Sequence, residues 1–139
     1  RRGRGGRGGR VGRRGMWGPE GPGLGRGRAM AMALPDVAER VSHGRPNFFT
    51  TKTFCYFGGS QRIDGEWIQH SHALMIKPDP DDEPALRADP RFWVPAYLGP
   101  SGWLGIDLAD LDDGEAAELI DASYRVTAPK RLIRLLDEA

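Results

Sequence analysis

The chain has 139 residues, which suits a single domain, and its formal net charge of +1 is the near-cancellation of two oppositely charged parts. Residues 1–28 contain nine arginines and one glutamate, a charge of +8, whereas residues 29–139 carry −7. The lone cysteine, Cys55, excludes an intramolecular disulfide and a cysteine-rich zinc site, and no apolar run has the length of a membrane span. These features favour a protein of the reducing cytoplasm.

Residues 1–28 are a glycine- and arginine-rich arm that holds twelve of the twenty glycines. The arm has too few apolar residues to form a hydrophobic core, and we predict that all of it is disordered. Its RGG triplets at residues 4–6 and 7–9 favour salt-dependent contacts with phosphates and bases, so RNA is one candidate partner. The alternative is that the arm is over-extended translation of GC-rich DNA, and the sequence does not decide between the two.

The first half of the predicted domain, which covers residues 29–139, is rich in strand signals. Good helix formers over Ala29–Leu34 predict the end of a first helix, and residues 37–43 are a short strand or an extended link. Aromatic and β-branched runs predict three strands, at residues 48–57, 67–69 and 71–77. Gly58 and Gly59 are expected to end the first of them. The connections are too short for crossovers, so the pairing is antiparallel.

The second half of the domain contains the helix signals. Acidic residues begin a short helix over Asp79–Asp89, and alternation over Trp103–Leu108 predicts a half-buried strand. Asp112 and Glu115 form a predicted capping box. The helix that follows is expected to bury one face, with Ala116, Leu119, Ile120, Ser123 and Tyr124.

A last helix follows a short break. Thr127 is its predicted cap, Pro129 stands in its first turn, and four apolar residues are expected to be buried, namely Leu132, Ile133, Leu135 and Leu136. The sum of these elements is an α+β fold, a single small domain with one antiparallel sheet flanked by helices.

The residues that usually carry catalysis or bind metal do not assemble into a motif. His70 and His72 share a strand face but lack a third ligand, and the acidic run over residues 79–83 lacks the glycine and distant glutamate of a calcium loop. Cys55 lies among aromatic residues and is expected in the core. We therefore predict no enzyme, no metal and no cofactor.

The last helix also brings cations together, because Lys130 and Arg131 lie four and three residues from Arg134, and Arg125 precedes them. Two interpretations stay open, namely contacts with phosphates and a solvated helix face.

Several stretches resemble one known family in order and along nearly all of residues 29–139. They are "AMALPDV" (31–37), "HGRPNFF" (43–49), "IKPDPDDEPALRADPRFWVPAYLGPSGWLGIDL" (76–108) and "SYRVTAPKRL" (123–132). On these motifs the domain is similar to the MmcQ/YjbR family. The resemblance implies a secretion-chaperone-like α+β fold, a proposed DNA-binding role through hairpins described as a double wing, and no catalytic residues.

Two functions are carried forward from these observations. The first is non-enzymatic DNA binding by a set of cations, of which Arg45, Lys130 and Arg131 match family motif positions; the set is Arg45, Lys52, Arg62, Arg125, Lys130, Arg131 and Arg134. The second is an interaction domain that binds a protein or small ligand in an aromatic pocket, lined by Phe92, Trp93, Tyr97 and Trp103. In that second case only the arm binds nucleic acid. A domain charge of −7 opposes duplex DNA unless the cations share one face.

Overall fold

A computed structural model describes residues 22–139. They form one six-stranded antiparallel sheet of order β1-β2-β3-β4-β6-β5 and four helices, which confirms the α+β fold. The strands are β1 (Ala38–Ser42), β2 (Arg45–Phe49), β3 (Thr53–Ile63), β4 (Glu66–Ile76), β5 (Phe92–Trp93) and β6 (Leu104–Asp107). The helices are α1 (Pro22–Met32), α2 (Glu83–Ala88), α3 (Asp113–Thr127) and α4 (Lys130–Glu138). None of these helices has the length and apolar character needed to span a membrane.

Two tight hairpins point towards the same end of the sheet. The turns His43-Gly44 and Asp64-Gly65 both have positive φ at their two residues, the geometry that suits the twist of a two-residue hairpin. β2 pairs with β3 only as far as Asn47 opposite Tyr56. On the other side of the hairpin, β6 pairs only with the last four residues of β4. Residues 59–70 therefore extend beyond the neighbouring strands as a projecting hairpin, and we call this end of the sheet the hairpin end.

The predicted strand boundaries need correction. The run over residues 48–57 is divided between β2 and β3 by a turn over residues 50–52, and a register shift follows Phe48. Gly58 and Gly59 do not end a strand, because β3 continues through them with Gly58 in a left-handed conformation at a second register shift. The two strands predicted at 67–69 and 71–77 are one continuous strand, β4.

The main core lies between the sheet and the helices α1, α3 and α4. Two edge-to-face ring pairs anchor it, Phe48 with Phe57 and Phe54 with Tyr124, at centroid distances of 5.7 and 5.3 Å. The buried hydroxyl of Ser123 donates to the carbonyl of Phe54 and accepts from the amide of Lys77. One side chain of α3 thereby joins β3 to the end of β4 and has no unsatisfied polar atom.

The first helix begins earlier than the sequence indicates. α1 starts at Pro22, and its Leu24 is only 3% exposed within the core. Gly27 is needed for close packing, since a Cβ there would lie 2.4 Å from the ring of Phe57. Arg28 forms a 2.8 Å ion pair with a carboxylate of β1. α1 therefore spans the predicted boundary between residues 28 and 29, and the disorder predicted for residues 1–21 lies outside the described part of the chain.

The capping box is confirmed at the start of α3, where Asp112 accepts a 2.8 Å bond from the amide of Glu115. The predicted cap of α4 is wrong, because Thr127 is the last residue of α3 and its hydroxyl donates back to the carbonyl of Ser123. Pro129 is the N-cap of α4. Leu132 is buried as expected, but Leu135 is 52% exposed because α4 packs through a narrow face.

Candidate nucleic-acid interface

The seven predicted DNA-binding cations lie at two opposite ends of the sheet. Arg45 begins β2 and Arg62 is close to the end of β3, so both belong to the hairpin end. The other five lie at the opposite end, and they are Lys52, Arg125, Lys130, Arg131 and Arg134. Along β3, Arg62 lies roughly 30 Å from Thr53 at the opposite end, whereas the five residues of β2 place Arg45 roughly 15 Å from that end. The cations therefore do not share one face.

Contacts of α3 and α4 establish this placement. The Tyr124 hydroxyl donates to the carbonyl of Pro35 over 2.7 Å, and Arg131 lies 3.8 Å from a carboxylate oxygen of Asp36. Residues 35 and 36 precede β1, which begins at the end of the sheet where β3 also begins. α4 is consequently remote from both hairpin turns.

The cations of α3 and α4 have acidic neighbours. Arg125 lies 2.8 Å from Asp121 and 2.8 Å from Asp137, and the hydrogen bonds that it donates to these carboxylates raise its pKa. Its charge is thus compensated within the domain. Lys130 and Arg134 are exposed on a helix that also carries exposed Asp137 and Glu138. The exposed surface of α4 therefore carries both positive and negative side chains and is not a continuous basic stripe.

The two cations of the hairpin end are held by uncharged groups. The Arg62 guanidinium lies 4.7 Å above the ring of Trp67, its partner across the hairpin. Arg45 donates a 3.0 Å bond to the side chain of Gln69, and its aliphatic part packs over Gly58. Both positive charges remain uncompensated by these contacts and are available to an anionic ligand.

Two exposed aromatic rings adjoin these cations. Trp67 is 45% exposed and Tyr97 is 83% exposed, and their ring centroids lie 5.8 Å apart. Ile63 and Ile68 of the same hairpin are also exposed, but as strand neighbours of Arg62 and Trp67 they lie on its other face. The adjoining rings of Trp67 and Tyr97 form an exposed apolar patch of the kind that contacts a partner. The exposure and adjacency of these two rings were not predicted from the sequence. The Asp64-Gly65 turn was the available signal, because it marks the hairpin that carries Trp67.

Tyr97 belongs to a segment, residues 94–102, that connects β5 to β6 by way of β3 and that we call the strap. The amide of Ala96 donates a 2.9 Å bond to the carbonyl of Ser60, which belongs to the projecting part of β3. Tyr97 has a φ of 65°, and the amide of Leu98 bonds to the carbonyl of Ala96 over 2.7 Å across it. This is a strained three-residue turn, and it directs the ring of Tyr97 outward.

The aromatic pocket predicted from the sequence is not formed, because its four rings point to different places. Phe92 pairs with Ile106 and packs against the helix-facing core, whereas Trp93 covers Gly105 on the opposite face of the sheet. Trp103 is buried against Tyr56 at 5.4 Å. Of the four, Tyr97 is the one that is largely exposed, and Phe92 and Trp93 are half-buried. Adjacent strand residues such as Phe92 and Trp93 necessarily face opposite ways.

The two histidines of β4 do not form a metal site in the described residues, where no group of three ligating side chains is assembled. His70 instead stacks on Trp93 at 3.9 Å, with its ring nitrogens 2.9 Å from Asp107 and 2.8 Å from Gln61. Cys55 is fully buried, and burial raises the pKa of its thiol well above the usual range. A buried, protonated thiol is a packing group and a poor nucleophile.

The start of α1 lies beside the hairpin end. An open groove of about 520 Å³ separates it from the β1–β2 turn, and its wall includes Leu24, Arg28, His43, Gly44 and Arg45. The groove continues to Gln69 on the projecting hairpin. Residues 1–21, which precede α1, are therefore joined to the domain at the same end as Arg45 and Arg62.

Two solved structures share the fold. A protein from Pseudomonas syringae is 15% identical with a TM-score of 0.51, over 67% of this chain and 88% of that chain. Deinococcus radiodurans protein DR2400, with the domain DUF419, is 20% identical with a TM-score of 0.51. The match covers 71% of this chain and 73% of that chain. No curated protein matches the sequence. The family model YjbR matches residues 32–126, well over half of the chain, and the chain therefore belongs to the YjbR family.

Proposed function

We propose that the protein binds DNA through the hairpin end of the sheet, with the arginines of residues 1–21 providing most of the positive charge. The observation that carries this proposal is the common location of three features. The β1–β2 turn with Arg45, the projecting hairpin with Arg62 and the start of α1 all occupy one end of the domain. A paired hairpin of this kind fits the grooves of a duplex.

Charge explains why the arm is required. Residues 22–139 contain 13 basic and 18 acidic residues, a net charge of −5, which repels a phosphate backbone at long range. Residues 1–21 contain seven arginines and one glutamate, a charge of +6, and they join the domain beside Arg45. With about five phosphates neutralised, log K should fall against log salt with a slope of about −4.5.

The cations of α3 and α4 have no part in this interface. Arg125 is compensated by two carboxylates, and Lys130 and Arg134 lie at the opposite end of the sheet. Of the seven cations considered from the sequence, the proposal retains Arg45 and Arg62.

A matched pair of double variants tests the proposal. Arg45→Ala/Arg62→Ala and Lys130→Ala/Arg134→Ala each remove two positive charges, but from opposite ends of the sheet. Fluorescence anisotropy of a labelled duplex is measured with the full chain from about 0.05 to 0.2 M salt, the range over which phosphate contacts weaken steeply. We expect the first pair to reduce the salt slope by about 2, one unit for each phosphate that is no longer neutralised, and the second to leave it unchanged.

Three results would count against the proposal. Equal reductions in the two double variants would indicate general attraction without an interface. A chain that starts at residue 22 and binds as well as the full chain would remove the role of the arm. Absence of duplex binding at the lowest salt would overturn the duplex interface.

A further inference from the structure

Tyr97 is held in a way that a solvent-exposed side chain does not require. Its ring is 83% exposed, yet its backbone occupies a left-handed conformation at a φ of 65°. Such a conformation costs a non-glycine residue free energy and persists only where neighbouring contacts impose it. Here two contacts hold the strap in place. The amide of Ala96 bonds to the carbonyl of Ser60 in β3, and the neighbouring Pro95 is buried.

The surroundings of Tyr97 contain the groups that recognise a nucleobase. Trp67 lies 5.8 Å away with a tilt of 35° between the rings, so the pair forms a continuous aromatic surface with no gap for insertion. Arg62 lies on Trp67 and offers a cation beside that surface. Asp64 in the turn and Glu66 just after it place negative charge at the tip, so phosphates are favoured on the Arg45 and Arg62 side.

We propose that Tyr97 and Trp67 form a stacking platform for unpaired bases, so that the preferred DNA of this protein contains a single-stranded segment. This inference rests on the proposed DNA binding and names its substrate class. A base pair inside a duplex shows only its edges, whereas an unpaired base presents a face that can cover the exposed ring of Tyr97. Arg62 and Arg45 then contact the phosphates that flank the stacked base.

A rigid platform binds more tightly than a mobile ring. Because the strap already fixes Tyr97, little conformational freedom is lost when a base stacks on it. A proline-rich peptide is another ligand that aromatic surfaces recognise, but it requires a groove between the rings, and Trp67 and Tyr97 are in contact. The adjacent arginines also favour an anionic ligand.

The test measures the affinity of the full chain for labelled oligothymidine and for a duplex by fluorescence anisotropy. Tyr97→Ala removes the ring, Tyr97→Phe keeps it, and Val94→Ala removes another exposed side chain of the same strap. We expect Tyr97→Ala to weaken oligothymidine binding roughly 5- to 100-fold, the effect of losing one stacked base, while the duplex affinity is unchanged. Tyr97→Phe and Val94→Ala should both bind oligothymidine as the original chain does.

Circular dichroism on heating shows whether Tyr97→Ala is folded, and an unchanged midpoint is expected because the ring is exposed. A second readout keeps the test independent of that variant. Tryptophan fluorescence should be quenched by oligothymidine in the original chain, and Trp67→Phe should remove most of the quenching.

The outcomes separate this inference from the function on which it rests. Duplex binding that depends on Arg45 and Arg62, together with oligothymidine binding that is indifferent to Tyr97, overturns the platform and leaves DNA binding in place. Equal weakening of both ligands in Tyr97→Ala also overturns it. Oligothymidine binding that requires Tyr97 without any duplex binding supports the platform and overturns the duplex interface. Failure to bind either ligand overturns both proposals.

Discussion

Replacing Leu24 by alanine tests whether residues 22–28 are part of the folded domain. Leu24 is 3% exposed, and a Leu→Ala change in a core costs about 2 to 5 kcal/mol, depending on the cavity that remains. Leu24 also borders the open groove beside Arg45, so neighbouring groups or water can fill part of the space. We therefore expect a loss near the lower end of this range, about 2 to 3 kcal/mol.

Urea unfolding followed by circular dichroism measures this loss, with Met32→Ala as the control. Met32 belongs to the same helix but is exposed, so its substitution should change the free energy of unfolding by less than about 0.5 kcal/mol. A chain that begins at residue 29 lacks both Leu24 and Gly27 and should be at least as unstable as Leu24→Ala. A chain that begins at residue 22 should retain the original stability.

An equally small effect of Leu24→Ala and Met32→Ala on the free energy of unfolding would contradict the burial of Leu24. That result would mean that the first part of α1 does not pack against Phe57, and that the domain begins where the composition changes.

Three further predictions follow from local geometry. Gly25→Ala should stabilise the protein by about 0.5 to 1 kcal/mol in the same urea assay, because Gly25 is in α1 and a Cβ there meets no atom within 4 Å; no gain would contradict a helix at this position. Gly105→Ala should destabilise it by about 1 to 3 kcal/mol, because the new Cβ would lie 2.5 Å from the Trp93 ring, and a neutral result would show that this ring can move aside. Hydrogen bonds from Arg91 lower the pKa of Asp89 below its ordinary 3.8, so the ionised carboxylate stabilises the fold above that pH and this contribution is lost as the pH falls through the folded value. Asp89→Asn should therefore reduce the fall of the urea midpoint below about pH 4 and leave its pH dependence above about pH 5 unchanged, whereas an unaltered acid limb would contradict the prediction.

The sequence predicts the class of fold because its strongest signals are local. The Asp112 and Glu115 capping box marks the start of α3, and the apolar spacing from Ala116 to Tyr124 identifies the face that packs on the sheet. These features depend on side chains three or four residues apart, which is the range that helix geometry fixes. The antiparallel order of the first strands follows in the same way from short connections.

The errors occur where tertiary packing overrides local preference. Nothing in Thr50, Thr51 and Lys52 indicates a turn, since none is glycine, proline or asparagine. Gly58 suggests the end of a strand, yet it is the residue that permits a register shift inside a long one. In α1 the glycine at position 27 is needed because its backbone lies against an aromatic ring, a requirement that a composition count cannot show.

The interface is only partly predictable for a related reason. Sequence spacing groups Lys130, Arg131 and Arg134 correctly on one helix, but it does not show that Arg125 is neutralised or that Arg62 lies at the far end of the sheet. The aromatic pocket is predicted from proximity in sequence, although alternation along β5 separates Phe92 from Trp93. Exposure of Tyr97 depends on a left-handed backbone that no residue pattern announces.

The most direct test of the proposed interface is a map of amide chemical-shift changes in the ¹⁵N-labelled full chain on addition of DNA. If the hairpin end binds, the shifts should concentrate at Gly44 and Arg45, along the projecting hairpin and in the strap around Tyr97. Shifts concentrated over Lys130–Glu138, with the hairpins unaffected, would contradict the interface and place binding on α4.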